Sequence, residues 1–276
     1  MKTIAFITNV YGNNWRQNLA LESIHRTIED KKNIKCFLIQ FKDELISNKY
    51  NFETVPTLKR SSLDYFNTSK KLPFINDIFE IGSNLDFDYF VFINSDIIID
   101  YKILNYILLE SPEAVAFSRG EADINSNWNF DSPLNISRIS VAGFDAFVFE
   151  NNWYQKNKKL FKDMYLGRPV FDNCYSSLMT LFSKNILNNR DCFIYHPIHE
   201  LFSNEKDDMY NHNFEISNTI YTNIVDFWRL LETETIQKRP DQSIFFKHDA
   251  KEPIKILELK EKFLKDNQEL YEKLIQ

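Results

Sequence analysis

Glycine is scarce in this chain: 276 residues hold only Gly12, Gly82, Gly120, Gly143 and Gly167, no two of them close together. That scatter excludes a Gly-x-Gly-x-x-Gly dinucleotide fingerprint and a phosphate-cradling P-loop, both of which need neighbouring glycines to bring backbone against phosphate. Cysteine is thin as well. Cys36, Cys174 and Cys192 are too few and too widely spaced for a disulfide scaffold, which fits a reducing compartment. No second Cys pair accompanies Cys192, His196 and His199, so zinc is not indicated. No apolar run approaches the ~20 residues that cross a bilayer, and the opening Met1–Ile7 is too soon polar to be a signal peptide. The expectation is a cytoplasmic protein with at most peripheral membrane contact. Lys and Arg number 33 against 39 Asp and Glu, a net charge of −6, which gives no general attraction to nucleic acid.

Aromatic and aliphatic residues are plentiful: 25 Phe, 13 Tyr and a 43% hydrophobic share describe a folded chain with a sizeable core. Thr3–Thr8 reads as a first buried strand, followed by a helix carrying Leu21, Ile24 and Ile28 at helical spacing and a second strand, Cys36–Phe41. This βαβ order belongs to a parallel sheet. Lys42–Thr68 is polar, contains Pro56 and reads as irregular. A helix over Lys70–Gly82, with Pro73 in its first turn, feeds the central strand Tyr89–Ile93, whose unbroken apolar run suits burial on both faces. Helices follow with Ile103, Leu104, Ile107 and Leu108 buried, then with Trp153, Leu160, Phe161 and Met164, and then after Arg168. Strands are expected at Ala114–Phe117, Phe144–Phe149 and Cys192–Tyr195, with a polar loop of functional character between Glu121 and Ser140. A helix around Ile220–Leu231 and a charged amphipathic one over Glu252–Gln276 close the chain. The division expected is a catalytic domain over 1–215 and a helical extension over 216–276 packed on it.

The chemistry-bearing residues gather where strands end. Ligands of open α/β sheets sit beyond the carboxyl ends of the strands, and there the central strand gives way to Asn94, Ser95 and Asp96. The plain alternative is a turn with Asp96 capping the next helix. Asp172, in the turn Gly167–Asn173, is a fair N-cap, and the dipole of the helix it starts would hold its carboxyl ionised. Asp145 follows Gly143 in the expected strand. His196 and His199 lie at another strand end, where each taken singly reads as an ordinary loop histidine. Thr8, Asn9 and Tyr11 form the first β-to-α loop, and Lys71 belongs to a pair usually just solvated.

This order of features resembles the GT-A glycosyltransferases over roughly residues 1 to 200, with Asn94-Ser95-Asp96 at the place of their Asp-x-Asp motif and Phe171-Asp172-Asn173 at the place of a later acidic motif. The resemblance implies an α/β, Rossmann-related fold with a mixed, mostly parallel sheet flanked by helices and a C-terminal helical extension. It also implies transfer of a sugar, UDP-linked by family frequency, from a nucleotide-sugar donor to a hydroxyl of a saccharide or glycoconjugate. Such an enzyme would be a metal-dependent, inverting hexosyltransferase of polysaccharide biosynthesis. Asp96, His196 and His199 would hold Mn²⁺ or Mg²⁺, which offsets the charge of the departing diphosphate. Asn94 in place of an acid leaves less negative charge for that ion. Thr8, Asn9, Tyr11, Lys71, Asn94 and Ser95 would meet the donor. Asp172 would be the base that takes the acceptor hydroxyl proton, with Asp145 the second candidate. Two other readings stay open: a sugar-phosphate nucleotidyltransferase, against which the loop Asn9–Asn14 has one glycine and no lysine, and a non-catalytic saccharide-binding or scaffold protein.

Overall fold

The computed structural model describes residues 2–12, 14–185, 192–198, 206–231, 236–238, 244–246 and 253–276. In chain order the elements are β1 (Ile4–Thr8), α1 (Trp15–Ile28), β2 (Ile34–Phe41), β3 (Glu53–Leu58), α2 (Ile75–Ser83), β4 (Tyr89–Ile93), β5 (Ile98–Ile99), α3 (Lys102–Glu110), β6 (Ala114–Ala122) and β7 (Ile136–Glu150). The series continues with α4 (Asn151–Asn157), α5 (Phe171–Phe182), β8 (Ile194–Pro197), α6 (Asp208–Leu231), β9 (Ile236–Lys238), β10 (Ile244–Phe246), α7 (Pro253–Asp266) and α8 (Leu270–Ile275). Eight strands form one mixed sheet in the order β3-β2-β1-β4-β7-β6-β8-β5, and β9 with β10 makes a separate antiparallel ribbon. Strands β3, β2, β1 and β4 run parallel, β7 lies antiparallel between β4 and β6, and β8 joins β6 in parallel.

Side chains alternate across a strand, and here both faces are covered. Ala5, Ile7, Phe90, Phe92, Phe147 and Phe149 turn to the face packed by α2, α4 and α5, while Ile4, Phe6, Val91, Ile93 and Val148 turn to α1 and α3. The first face is aromatic. Phe79 of α2 lies 4.9 Å from Phe149, Phe90 stacks on Phe149 at 4.9 Å, and Tyr154 meets Phe90 edge-on at 5.0 Å. Burying each such ring contributes roughly 1.5–3 kcal/mol, so this layer fixes β4 and β7 relative to one another. Helix α1 starts where Asn14 Oδ1 accepts the backbone N–H groups of Arg16 (3.0 Å) and Gln17 (3.1 Å), satisfying two of the donors a helix start leaves open.

Several expected boundaries are corrected. The polar stretch after β2 contains β3, an edge strand in which Pro56 is tolerated because one side of the strand needs no partner. Helix α2 begins at Ile75, so Pro73 precedes it and pairs with Ser61 in an isolated bridge. Strand β6 runs on to Ala122 and β7 starts at Ile136, shortening the loop between them at both ends. Leu108 is 37% exposed rather than core. The last helical stretch breaks in two at Asn267, with Phe263, Leu270 and Leu274 still packed into the aromatic side of the core. In α7, Lys260 is buried and its Nζ donates to the carbonyls of Thr180 (3.2 Å) and Ser183, at the end of α5.

Candidate active site

The carboxyl ends of β1, β2 and β4 open on one edge of the sheet, and the acidic tip projects from the last of them. The Asn94 N–H donates to the Asp145 carbonyl (3.0 Å), tying the tip of β4 to β7, and the Asn94 amide donates to Asp145 Oδ1. Asn94 Oδ1 is buried and accepts no hydrogen bond from the described residues. Ser95 Oγ accepts from Gln17 Nε2 of α1 at 3.3 Å. The Asp96 side chain is 33% exposed, with its Oδ2 3.6 Å from His196 Nε2.

From Asp96 a chain of charges runs inward. His196, within β8 rather than in a loop, places Nδ1 3.0 Å from Glu121 Oε2. Glu121 Oε1 accepts from Arg119 Nε (2.9 Å), and Arg119 Nη1 donates to Asp145 Oδ2 (2.6 Å). Burial opposes the charge of His196, but Asp96 and Glu121 outweigh it and carry the imidazole up to about 9. Burial likewise works against the Glu121 carboxylate, and His196 with Arg119 overcomes this to bring it down to about 2. At neutral pH His196 is therefore protonated and Glu121 ionised. Room for the guanidinium depends on Gly143: a Cβ there would lie 2.9 Å from Arg119 Cζ and 3.1 Å from its Nε and Nη1.

Asp172 stands on the other side of Asp145. It occupies the first turn of α5 rather than its N-cap, which is Val170 in a left-handed conformation at φ 75°. Left-handed backbone is costly for a β-branched residue, so the turn into α5 is held by its surroundings. Asp172 Oδ2 accepts the Phe144 N–H at 3.4 Å, and Oδ1 accepts from Asn173 Nδ2 at 3.3 Å. The expectation that the helix dipole would lower its pKa is corrected: burial and the neighbouring Asp145 raise it to about 6. The group is poised to exchange a proton near neutrality, whereas both oxygens of Asp145 are engaged by Arg119 and Asn94.

The remaining expected residues fall into three groups. Thr8 lies at the tip of β1 with its Oγ1 buried and without a hydrogen bond among the described residues, and Tyr11 is exposed, its phenol raised by desolvation of the hydroxyl and by the charge of Asp96. A cleft of about 430 Å³ adjoins them, walled by Val10, Gly12 and Gln17 on one side and Ser47, Asn48 and Tyr50 on the other. Asn9 is committed elsewhere, its amide donating to the Ile39 carbonyl at 2.7 Å. Lys71 pairs with Asp43 at 2.5 Å and lies over the Phe41 ring at 4.3 Å, at the end of β2. His199 lies outside the described residues. Among those described, no three His, Cys, Asp or Glu side chains are arranged to hold a metal ion, and no helix is long and apolar enough to cross a membrane.

No family model and no curated protein matches this sequence. Among solved structures, the chain is similar to S. aureus TarS 1-349 in complex with UDP-GlcNAc, with a TM-score of 0.54 at 12% identity over 80% of this chain and 67% of that one. The fold is of the GT-A type. A second TarS 1-349 structure superposes with a TM-score of 0.47 at 10% identity, over 84% of this chain and 75% of that one. A 4-diphosphocytidyl-2C-methyl-D-erythritol synthase from Anaerococcus prevotii does so with 0.35 at 13%, over 78% and 98%. Neither of these bears on the assignment.

Within this GT-A-type fold, Arg119 and Glu121 are the participants that reading the sequence missed. Both sit in the part of β6 beyond Phe117 that reads as loop. A signal was present: Arg119 and Glu121 two apart on one strand, Gly143 and Asp145 two apart on the next, the spacing that puts each pair on one face.

Proposed function

We propose that this protein is a glycosyltransferase that moves a hexose from a nucleotide-sugar donor, with UDP as the carrier, to a hydroxyl of a saccharide or glycoconjugate acceptor, with inversion at the anomeric carbon. The observation that carries the reading is the meeting of Asp96, His196, Asp145 and Asp172 at one edge of a GT-A-type sheet. The cleft beside the first loop supplies a wall for the nucleoside. In the reaction, the acceptor oxygen bonds the anomeric carbon as the bond from that carbon to the diphosphate oxygen breaks. The nucleoside diphosphate departs with the electron pair. Asp172 takes the acceptor proton, and its pKa of about 6 leaves it ionised, yet basic enough for the task, above neutrality. Arg119 and Asn94 hold Asp145 in place and keep it from competing for that proton.

The residues fit a divalent cation. Asp96 offers a partly exposed carboxylate, and His196, protonated at neutral pH, would offer Nε2 only on releasing that proton, with its other nitrogen facing Glu121. The same spot already holds one positive charge on His196. Asp96 and His196 would hold Mn²⁺ or Mg²⁺ together with the donor's diphosphate, and the ion would supply charge stabilisation to the leaving group. A thermal-shift screen of nucleotide-sugars with and without Mn²⁺ tests the reading, since a ligand of the folded form raises its melting temperature. UDP-sugars are expected to stabilise the wild type more with Mn²⁺, and Asp96→Ala is expected to lose that increment. No UDP- or GDP-sugar shift under either condition would refute the proposal, and turnover of a nucleoside triphosphate with a sugar phosphate would replace it with a nucleotidyltransferase.

A further inference from the structure

A second cavity, of about 340 Å³, opens on the flank of the molecule between α1, β5 and the segment between β6 and β7. Its walls are Arg26 of α1, Asp100 and Tyr101 after β5, Trp128 and Phe130 of the connecting segment, and Tyr195 of β8. It is separate from the candidate active site. Tyr195 immediately precedes His196, and successive residues of a strand face opposite ways; accordingly Tyr195 packs with Ile98 and Trp128 while His196 joins Asp96 and Glu121. We propose that this cavity is a saccharide-binding site that takes one or two neutral sugar rings against Trp128. The inference stands on the cavity's lining and does not depend on the catalytic reading above.

Three features of the walls carry it. The first is aromatic surface left partly open to the cavity. The indole N–H of Trp128 donates to the Pro133 carbonyl (3.4 Å), so what Trp128 offers a ligand is ring, and Tyr101 is 60% exposed at the rim. Aromatic rings suit a ligand with an apolar face and a polar edge, as a pyranose has. The second is electrical balance. Arg26 is matched by Glu22 at 3.2 Å, and Asp100 by Lys102 at 3.6 Å. With each charge already answered, the cavity favours neither a phosphate nor an ammonium, while carboxylate and guanidinium remain good partners for hydroxyl groups.

The third is preorganisation. Asn125 Oδ1 accepts the Asn127 N–H (2.9 Å), Asn129 Oδ1 accepts the Asp131 N–H (3.0 Å), and the Asp123 N–H closes the segment on the Asn135 carbonyl (3.1 Å). Phe130 is braced by Trp128 edge-on at 5.0 Å and by the Arg26 guanidinium at 4.6 Å. A wall fixed before the ligand arrives spares the ordering entropy that weakens loop-borne sites. The volume lies at the lower end of the ~300–1,000 Å³ range of small-ligand clefts, which suits one or two rings rather than a long chain.

Saturation-transfer NMR on the full chain tests the proposal, with the methyl β-glycosides of glucose, galactose and N-acetylglucosamine as probes at millimolar concentration, and phenyl phosphate and choline as charged controls. At least one glycoside is expected to show transfer. Its affinity is expected to fall about tenfold in Trp128→Ala, the loss of one aromatic contact, and to be kept in Trp128→Phe. Tyr101→Ala, an exposed position that does not endanger folding, is expected to weaken the same glycoside. Asp172→Asn, in the other site, is expected to leave it unchanged. Absence of transfer from all three glycosides, preference for a charged control, or binding that survives both Trp128→Ala and Tyr101→Ala overturns the proposal.

Discussion

Replacing Asp172 with Asn is expected to make the protein more stable and nearly inactive at once. In the folded chain, burial and Asp145 lift this carboxyl from its ordinary 3.8 to about 6. The unfolded chain therefore releases the proton first as pH rises, and between about 4 and 6 the native state holds more protons than the unfolded one, so stability falls as pH rises through that window and is level above it. At about 1.4 kcal/mol per pH unit, a rise from 3.8 to about 6 costs the wild type up to about 3 kcal/mol by pH 7. Asn is nearly isosteric, keeps an oxygen for the Phe144 N–H and carries no charge. Urea unfolding of wild type and Asp172→Asn at about pH 4 and about pH 7 measures the difference: the variant should gain up to about 3 kcal/mol relative to wild type between the two. Its turnover of a nucleotide-sugar should fall by about 10²–10⁴-fold, and the wild-type kcat/KM should climb with pH to a plateau above about 6. Parallel stability curves would refute the raised pKa. Turnover within a few-fold of wild type would refute the base.

Two further expectations concern the ion network. Arg119→Met leaves Asp145 as a buried carboxylate without its cation and Glu121 with His196 alone, and should cost about 3–5 kcal/mol near neutral pH by urea unfolding; a loss under about 1 kcal/mol would mean the network is better solvated than its burial indicates. Gly143→Ala drives a Cβ against the guanidinium, and overpacking of this kind costs about 1–3 kcal/mol. The cost should shrink in the Arg119→Met background, where the obstacle is gone; full additivity in that double-mutant cycle would show that the two positions do not communicate.

The parallel half of the sheet was legible because its strands are buried on both faces and therefore spell continuous apolar runs: β1, β2 and β4 fall within two residues of their expected bounds. Strand β3 was not, because its pattern is almost wholly exposed and a Pro sits inside it. The first turns of β7 were hidden in the same way, with Ile136 and Ile139 each more than 40% exposed. Asp96 and Asp172 stand out as candidates because each lies at an element boundary. Arg119 does not, since its partner Asp145 is 26 residues away along the chain and the register of β6 on β7 is what unites them. The pKa of Asp172 escaped for a related reason: the local helix end argues for a lowered value, and burial in the packed core, with Asp145 beside it, reverses the sign.

The ammonium group that α7 inserts beneath α5 has a bearing on how the chain can be shortened. One helix carries a catalytic candidate at its beginning and is stoppered at its far end by a side chain contributed almost 80 residues later. A version trimmed before residue 253 would strip the plug from those carbonyls, let the helix slacken from behind, and unseat a carboxylate at the opposite tip. The terminal segment is thus better regarded as a keystone than as an annex.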